Sequence, residues 1–320
     1  MRNAPSVDSL VTADWLKEHL SDPQICVLDV RGYVHHVDDG KGNMVVTYAG
    51  AKEEYDAAHI PGAVYVDWTI DIVDLDDPVP VQVAPAARFA AWASRVGIGD
   101  ATHVVVYDHT GGTIATRVWW DLLYYGHDHV SVLNGGWKKW AADGMPTSSE
   151  ATIVTPATFT PRTRQAMRKT VDEVAAISDA RSIRPAQLID ARAPDQYAGD
   201  VMRSGRAGHI PGAINVPAAT LFDPTTGEWK SDDELAVILY TAGVSDAQPT
   251  VAYCGGGVSA TGVLFAMHRT GHHDWANYDG SWNEWGPRTD LPTESSRVGT
   301  GENRKDAEGT EDAEKEKGKG

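Results

Sequence analysis

Short apolar runs alternate with amphipathic, helix-like patterns along most of the chain. Such runs predict buried strands, and the patterns between them predict helices. The predicted strands lie at residues 25–30, 64–66, 104–107, 130–133, 188–189 and 250–253, and the predicted helices at 85–96, 113–125, 231–239 and 258–269. Strands that alternate with helices predict an α/β fold, with a mostly parallel sheet and helices on both of its faces.

Internal similarity indicates that the chain contains two copies of one domain. The segments at 59–63, 104–108 and 134–137 recur in the same order at 209–213, 250–254 and 279–282. The first pair is the same pentapeptide, His-Ile-Pro-Gly-Ala, in both places. Three matches in one order and at nearly one spacing predict a tandem repeat.

The repeat sets the expected domain boundaries. The first copy is assigned to residues 8–146 and the second to 168–292. The Thr- and Pro-rich stretch 147–167 is interpreted as an extended linker. Residues 293–320 are charged and almost free of apolar side chains, which predicts a disordered tail. An insertion at 34–48, rich in Gly, His and Asp, is interpreted as a surface loop.

Composition narrows the possible functions. The chain has 320 residues and a formal net charge of −17, so it should repel the phosphates of nucleic acids. We find no secretory signal pattern and no apolar run long enough to cross a membrane, so neither secretion nor a membrane is expected. The two cysteines do not suggest a disulfide framework. These features together favour a cytoplasmic globular protein with reduced thiols.

The most informative candidate site begins at Cys254, where a predicted strand ends and a predicted helix follows. The next residues are Gly255, Gly256, Gly257, Val258 and Ser259. Successive glycines can adopt backbone angles that side chains forbid, so neighbouring N–H groups can point inward as a nest for negative charge. The positive end of the helix dipole adds to this field. Such a loop favours a thiolate or a persulfide anion on the cysteine.

A comparison of the two copies separates fold from function. His59 and His209 occur in both copies, so we expect both to be structural. The candidate nucleophile occurs only in the second copy, because Asp108 stands at its position in the first. Cys26 lies inside an apolar run and is expected to be a core residue.

Taken together, the motifs resemble those of the tandem-domain sulfurtransferases, the family of rhodanese and mercaptopyruvate sulfurtransferase. The resemblance covers nearly the whole chain and rests on residues 190–192, 208–213, 254–260 and 278–282. It implies two rhodanese-like domains, of which the first is inactive and the second carries a site at the interface between them. It implies no cofactor and no metal.

The same resemblance implies a double displacement through Cys254. The thiolate would take sulfur from a small anionic donor, thiosulfate or 3-mercaptopyruvate, and become a persulfide. Cyanide or a thiol would then remove that sulfur. A thioredoxin-like reductant is a further candidate partner.

Two departures from the family pattern concern the donor. In the family, thiosulfate-selective loops place basic residues after the cysteine, whereas mercaptopyruvate-selective loops resemble Cys-Gly-Ser-Gly-Val-Thr-Ala. This loop has no cation and is closer to the second pattern, although Gly256 replaces its Ser and Ser259 its Thr. Gln196 also stands where the family has an anion-binding arginine. Arg203 and Arg206 are therefore the candidate donor clamps.

The same residues allow other interpretations of the function. A cysteine phosphatase needs an arginine six residues after the nucleophile, where this chain has Ala260. A persulfide relay that depends on a partner protein would use the same loop as an enzyme and remains open. Arg192 is expected to pair with a carboxylate in a structural role. A metal site at His35 and His36 is an alternative for the insertion at 34–48 that we do not favour.

Overall fold

The computed structural model describes residues 8–38, 40, 44–109, 111–180 and 184–296. In the first half, the strands are β1 (Leu10–Val11), β2 (Ile25–Asp29), β3 (Gly32–Asp38), β4 (Met44–Gly50), β5 (Val64–Tyr65), β6 (His103–Tyr107) and β7 (Val130–Leu133). The helices of this half are α1 (Ala13–His19), α2 (Lys52–Ala57), α3 (Ala86–Arg95), α4 (Ala115–Tyr124) and α5 (Gly136–Ala142).

The second half repeats this arrangement. Its strands are β8 (Arg168–Lys169), β9 (Gln187–Asp190), β10 (Ile214–Asn215), β11 (Thr250–Tyr253) and β12 (Trp275–Tyr278). Its helices are α6 (Val171–Asp179), α7 (Pro194–Ala198), α8 (Asp232–Ala242), α9 (Ser259–Arg269) and α10 (Ser281–Trp285), and short 3₁₀ helices lie at Gln165–Met167 and Ala218–Leu221.

Each half forms a five-stranded sheet in which every strand pair is parallel. The strand order is β1-β7-β6-β2-β5 in the first sheet. The second sheet has the equivalent order β8-β12-β11-β9-β10. The predicted tandem α/β fold is therefore confirmed.

Side chains of the central strand β6 alternate between two cores. Val104 and Val106 lie in a cluster shared with the second domain, whereas Val105 and Tyr107 lie in one on the opposite face. A parallel sheet needs such cover on both faces. The shared cluster includes α4 and α9, which pack against each other across the domain interface.

A capping box begins the helix α8. The Ser231 hydroxyl accepts a hydrogen bond from the Glu234 N–H, and the Glu234 carboxylate accepts one from the Ser231 N–H. The helix continues beyond the predicted Leu239 to Ala242. Gly243, with a φ of +90°, ends it as a left-handed C-terminal residue.

The stretch 147–167 contains no helix or strand before its short 3₁₀ turn at Gln165–Met167. It runs along the first domain, where the Ala157 N–H donates to the Ser94 carbonyl at 2.9 Å. The Arg162 N–H likewise donates to the Tyr125 carbonyl at 2.8 Å. This segment therefore packs on the first domain rather than spanning open solvent.

The interpretation of residues 34–48 as a surface loop is wrong. Strands β3 and β4 pair in antiparallel fashion from Gly32 opposite Gly50 to Asp38 opposite Met44. The β-branched and aromatic residues in this insertion suit a pleated ribbon, and alternation along each strand gives it two different faces.

The predicted start of the disordered tail, residue 293, is too early in the chain. Residues 293–296 belong to the fold, because Glu294 pairs with His209 through backbone hydrogen bonds of 2.8 and 2.9 Å. Residues 297–320 lie outside the described part of the chain. Among the described residues, no helix combines the length and the apolar character needed to cross a bilayer.

Candidate functional site

Cys254 directly follows β11, the central strand of the second sheet. The residue is 2% exposed. Its N–H donates to the Ser281 hydroxyl at 3.1 Å, and its carbonyl accepts from the Trp282 N–H at 3.0 Å. The cysteine is thus fixed at the carboxyl edge of the sheet, where ligands bind in open parallel sheets.

The three glycines after Cys254 differ in how strongly the structure requires a glycine. Gly257 has a φ of +74°, and a Cβ there would lie 2.6 Å from the Asp279 carbonyl oxygen. A Cβ at Gly256 would lie 2.9 Å from the Tyr48 hydroxyl. Gly255 has neither constraint, because its nearest neighbour would be an Arg203 nitrogen at 4.0 Å. Only one of the three glycines therefore needs the left-handed backbone that the sequence suggested for all three.

The first domain shows what this type of loop binds. At the position equivalent to Cys254, the Asp108 carboxylate accepts hydrogen bonds from the backbone N–H groups of Gly112, Ile114 and Ala115 at 3.0, 2.8 and 3.1 Å. In this copy of the loop, backbone N–H groups therefore surround a negative charge carried by the residue that follows the central strand.

The equivalent N–H groups in the second domain belong to Gly257, Ser259 and Ala260. No acceptor in the described part of the chain receives a hydrogen bond from the N–H groups of residues 255–260. The loop and the first turn of α9 therefore offer donors to an anion carried by Cys254.

Arg203 lies beside this loop and is 9% exposed. Its Nη1 donates to the Gln196 side-chain oxygen at 2.8 Å, and its Nη2 contacts the His36 ring, with 3.1 Å to Nε2. Burial lowers the pKa of Arg203, whereas the neighbouring Tyr48 and Cys254 oppose this shift. The structure thus brings one of the two predicted clamps close to the cysteine loop.

Arg206, the second predicted clamp, is engaged elsewhere. Its Nε and Nη1 donate to the carbonyls of Gly286 and Leu291, each at 2.8 Å. Its Nη2 donates to the Trp285 carbonyl at 3.2 Å. All three guanidinium nitrogens therefore support the backbone after α10, which indicates a structural role instead of a clamp.

Arg192 pairs with a carboxylate, as expected. Its guanidinium binds both Asp190 oxygens and lies 4.2 Å from the Trp282 ring centroid. Arg31 and Asp29 form the same buried pair in the first domain. Because both copies have it, this pair belongs to the fold.

A second buried cation reaches the cysteine loop from the first domain. Arg117 on α4 donates from Nη1 to the Gly257 carbonyl at 3.1 Å and to the Asp279 carboxylate. Its Nε lies 3.2 Å from Asp121 Oδ1. Asp279 also accepts from the Val83 N–H at 2.9 Å. The first domain therefore supports the loop that follows Cys254.

Sequence reasoning did not assign Arg117, Asp279 or Ser281 to this site. The repeat contained a signal for two of them, because Asn134 and Gly136 in the first copy correspond to Asp279 and Ser281 in the second. These two substitutions fall on side chains that contact Arg117 and the Cys254 N–H. Ser281 even retains the left-handed backbone of the glycine, with a φ of +52°.

The remaining expectations concern residues outside the site. His59 and His209 each stack on a tyrosine and bond its carbonyl at 2.7 Å, so both are structural as predicted. Cys26 packs against the core, and burial raises the pKa of its thiol to about 12. Within the described residues, no group of three or more His, Cys, Asp or Glu side chains is arranged to hold a metal.

Comparison with known protein families gives a direct match. The model of the rhodanese-like domain matches residues 12–143 and again 170–287. Each segment contains four of the five strands of one parallel sheet, and the remaining strands, β1 and β8, lie directly before the two segments.

Individual relatives match along most of their length. The chain is 36% identical over 292 residues to the 3-mercaptopyruvate sulfurtransferase of Escherichia coli, covering 89% of this chain and 97% of that protein. It is 34% identical over 303 residues to the thiosulfate sulfurtransferase of Rattus norvegicus, with 92% and 97% covered.

A solved structure agrees with both. The crystal structure of SseA from Escherichia coli, described as a 3-mercaptopyruvate sulfotransferase, matches with a TM-score of 0.72 and 32% identity. The match covers 86% of this chain and 99% of that one. The chain therefore belongs to the rhodanese-like family and carries two rhodanese-like domains in tandem.

Proposed function

We propose that this protein is a sulfurtransferase that moves sulfane sulfur from a small anionic donor to a thiophilic acceptor through a persulfide on Cys254. The main observation behind the proposal is the loop after Cys254. The N–H groups of residues 255–260 donate to no acceptor in the described part of the chain. The equivalent loop in the first domain holds the Asp108 carboxylate in the same place.

The proposed reaction has two balanced displacements. The Cys254 thiolate attacks the donor sulfur, so that a new S–S bond forms while the S–S bond of thiosulfate or the C–S bond of 3-mercaptopyruvate breaks. Sulfite, or pyruvate after protonation of its enolate, leaves. An acceptor such as cyanide or a thiolate then attacks the outer sulfur and restores the Cys254 thiolate. The backbone N–H groups stabilise the negative charge on sulfur between the two steps.

Arg203 is the proposed binding group for the anionic end of the donor. It is a largely buried guanidinium beside Gly255, and its hydrogen-bonded neighbours Gln196 and His36 are neutral acceptors. A guanidinium binds a carboxylate or a sulfonate through charge-assisted hydrogen bonds. Arg206 lacks this opportunity, since its nitrogens already bind carbonyls.

The donor is proposed from the loop rather than from the relatives. Relatives named for each donor match this chain almost equally, at 36% and 34% identity. Residues 255–257 provide no cation, so the loop favours 3-mercaptopyruvate, whose carboxylate a single arginine can bind. A cytoplasmic location and a thiol acceptor, with a thioredoxin-like protein as the candidate reductant, are part of the same proposal.

Sulfur transfer to cyanide, with thiosulfate and 3-mercaptopyruvate compared side by side, tests this proposal. The wild type should turn over at least one donor, the Cys254→Ser variant should lose turnover, and Cys26→Ser should keep it. A wild type that forms a stable persulfide without multiple turnovers would instead indicate a partner-dependent relay. If no persulfide forms with either donor, the sulfurtransferase proposal is wrong.

A further inference from the structure

The hairpin β3–β4 has a fixed base on the first domain. Gly32 and Gly50 face each other at its open end. A Cβ at Gly32 would lie 2.1 Å from Trp68 Nε1, and one at Gly50 would lie 2.3 Å from the Tyr65 hydroxyl. These contacts leave no space for side chains at the base. The direction in which the hairpin projects is therefore set by close packing against the first domain.

The two faces of this hairpin differ in exposure. Val46 and Tyr48 lie on one face and are half-buried, whereas Val45 and Thr47 alternate with them and are exposed. The register places His36 opposite Val46, on the half-buried face. The face that is half-buried in β4 is therefore the face that carries Tyr48 and, across the ladder, His36, which is itself exposed.

Tyr48 shows what this face covers. Its hydroxyl accepts a hydrogen bond from Asn283 Nδ2 at 3.0 Å, and the Asn283 N–H donates to the Gly255 carbonyl at 2.8 Å. The Ser204 hydroxyl, next to Arg203 in the chain, donates to Asn283 Oδ1 at 2.9 Å. A segment of the first domain thus lies directly on the loop that follows Cys254.

His36 contacts the cation of the site itself. Arg203 Nη2 donates to the imidazole, while Nη1 donates to Gln196. Partial burial and the positive charge of Arg203 lower the pKa of His36, so the ring remains neutral and can accept. Two neutral acceptors hold the guanidinium in place without neutralising its charge. The charge therefore remains available to a bound anion.

We propose that the hairpin β3–β4 forms one wall of the donor-binding site, and that His36 is a positioning residue that aims Arg203 at the anionic end of the donor. This inference rests on the proposed function. It assigns a role to an insertion of the first domain in the specificity of the second. Because His36 acts on the binding cation and not on the reacting sulfur, its loss should weaken donor binding and leave the chemical step intact.

Steady-state kinetics with the better donor and cyanide test this role. His36→Ala should raise the donor KM about tenfold and change kcat less than about twofold, since an aligned hydrogen bond to a charged group is lost. His36→Gln retains an acceptor and should restore most of the affinity. His35→Ala, on the exposed face of the same strand, is the matched control and should keep the wild-type KM.

A double-mutant cycle tests whether His36 acts through Arg203. If His36 works through Arg203, then His36→Ala should add little to the KM of Arg203→Ala. Additive effects, or a His36→Ala variant that loses kcat at unchanged KM, would overturn the proposed positioning role.

Alkylation of Cys254 gives a second readout that needs no turnover. Iodoacetate and iodoacetamide both form an S–C bond with release of iodide, but only iodoacetate is anionic. The rate of Cys254 alkylation by iodoacetate, divided by the rate with iodoacetamide, can be followed by peptide mass spectrometry. This ratio should fall severalfold in His36→Ala and not in His35→Ala. An unchanged ratio contradicts the hairpin proposal, even where wild-type turnover supports the sulfurtransferase. A lowered ratio in a protein without sulfur transfer would support the anion site and reject the proposed function.

Discussion

Arg117 of the first domain donates from Nη1 to the Gly257 carbonyl of the second at 3.1 Å, so a buried cation of one domain directly supports the loop that follows Cys254 in the other. The same guanidinium lies between Asp121 and Asp279, both of which are fully buried. The two copies of the fold have therefore become interdependent. Neither loop environment can be understood from one domain alone.

Replacement of Arg117 by Met should destabilise the protein strongly. Removal of the cation leaves the buried carboxylate of Asp121 without its ion-pair partner and that of Asp279 paired with Arg168 alone, which costs about 3–5 kcal/mol. Urea unfolding of the variant measures this loss. Arg88→Met is a matched control, because Arg88 is exposed and should change stability by less than about 0.5 kcal/mol. Equal effects of the two substitutions would contradict the importance of the buried cluster.

Asp121 should make stability depend on pH. Burial raises its pKa to about 7, although the charge of Arg117 opposes this shift. A carboxyl whose pKa is higher in the folded state than in the unfolded state stabilises the fold at low pH. This contribution should be complete below about pH 4 and should be lost as the pH rises through 7.

The comparison with Asp121→Asn isolates this effect from other titrating groups. Wild-type stability minus that of the variant, measured by urea unfolding from pH 4 to pH 8, should fall with rising pH. A difference that stays constant or rises with pH would show that the carboxyl does not have the raised pKa.

The glycines of the loop should respond very differently to alanine. Gly257→Ala forces a side chain into a φ of +74° and against the Asp279 carbonyl, so it should destabilise the loop by about 1–3 kcal/mol and reduce sulfur transfer sharply. Gly255→Ala meets no atom closer than 4.0 Å and should be tolerated. Thermal unfolding and the cyanide assay on both variants check this. A tolerated alanine at 257 would contradict the described loop geometry.

Arg203 and Arg206, the two donor clamps that the sequence predicted, should differ in their effect on the donor KM in the cyanide assay. Arg203→Ala should raise the donor KM about tenfold or more, through loss of a charge-assisted hydrogen bond. Arg206→Ala should lower the unfolding temperature because three carbonyls lose their donor, and should leave the KM unchanged. A higher KM for Arg206→Ala alone would reverse the assignment of the anion-binding group.

Several features could be predicted from the sequence because they depend on residues that are close in the chain. The apolar run before Cys254 and the glycines after it predict a strand, a turn and a helix, and Ser231 with Glu234 predicts a helix start. The repeat predicts that the second copy carries the nucleophile, because Asp108 stands at the place of Cys254 in the first copy. Local periodicity and turn chemistry were sufficient for these predictions.

Only the tertiary structure decided which distant side chains complete the site. His36 is 167 residues from Arg203, and Arg117 is 140 residues from Gly257, so no local pattern can reveal either contact. The docking of α4 against α9 and the close packing at Gly32 and Gly50 set these contacts. The sequence alone determined the repeated fold and placed the candidate nucleophile at the end of a strand, since these follow from local patterns. The surroundings of that nucleophile were decided by the packing of two complete domains against each other.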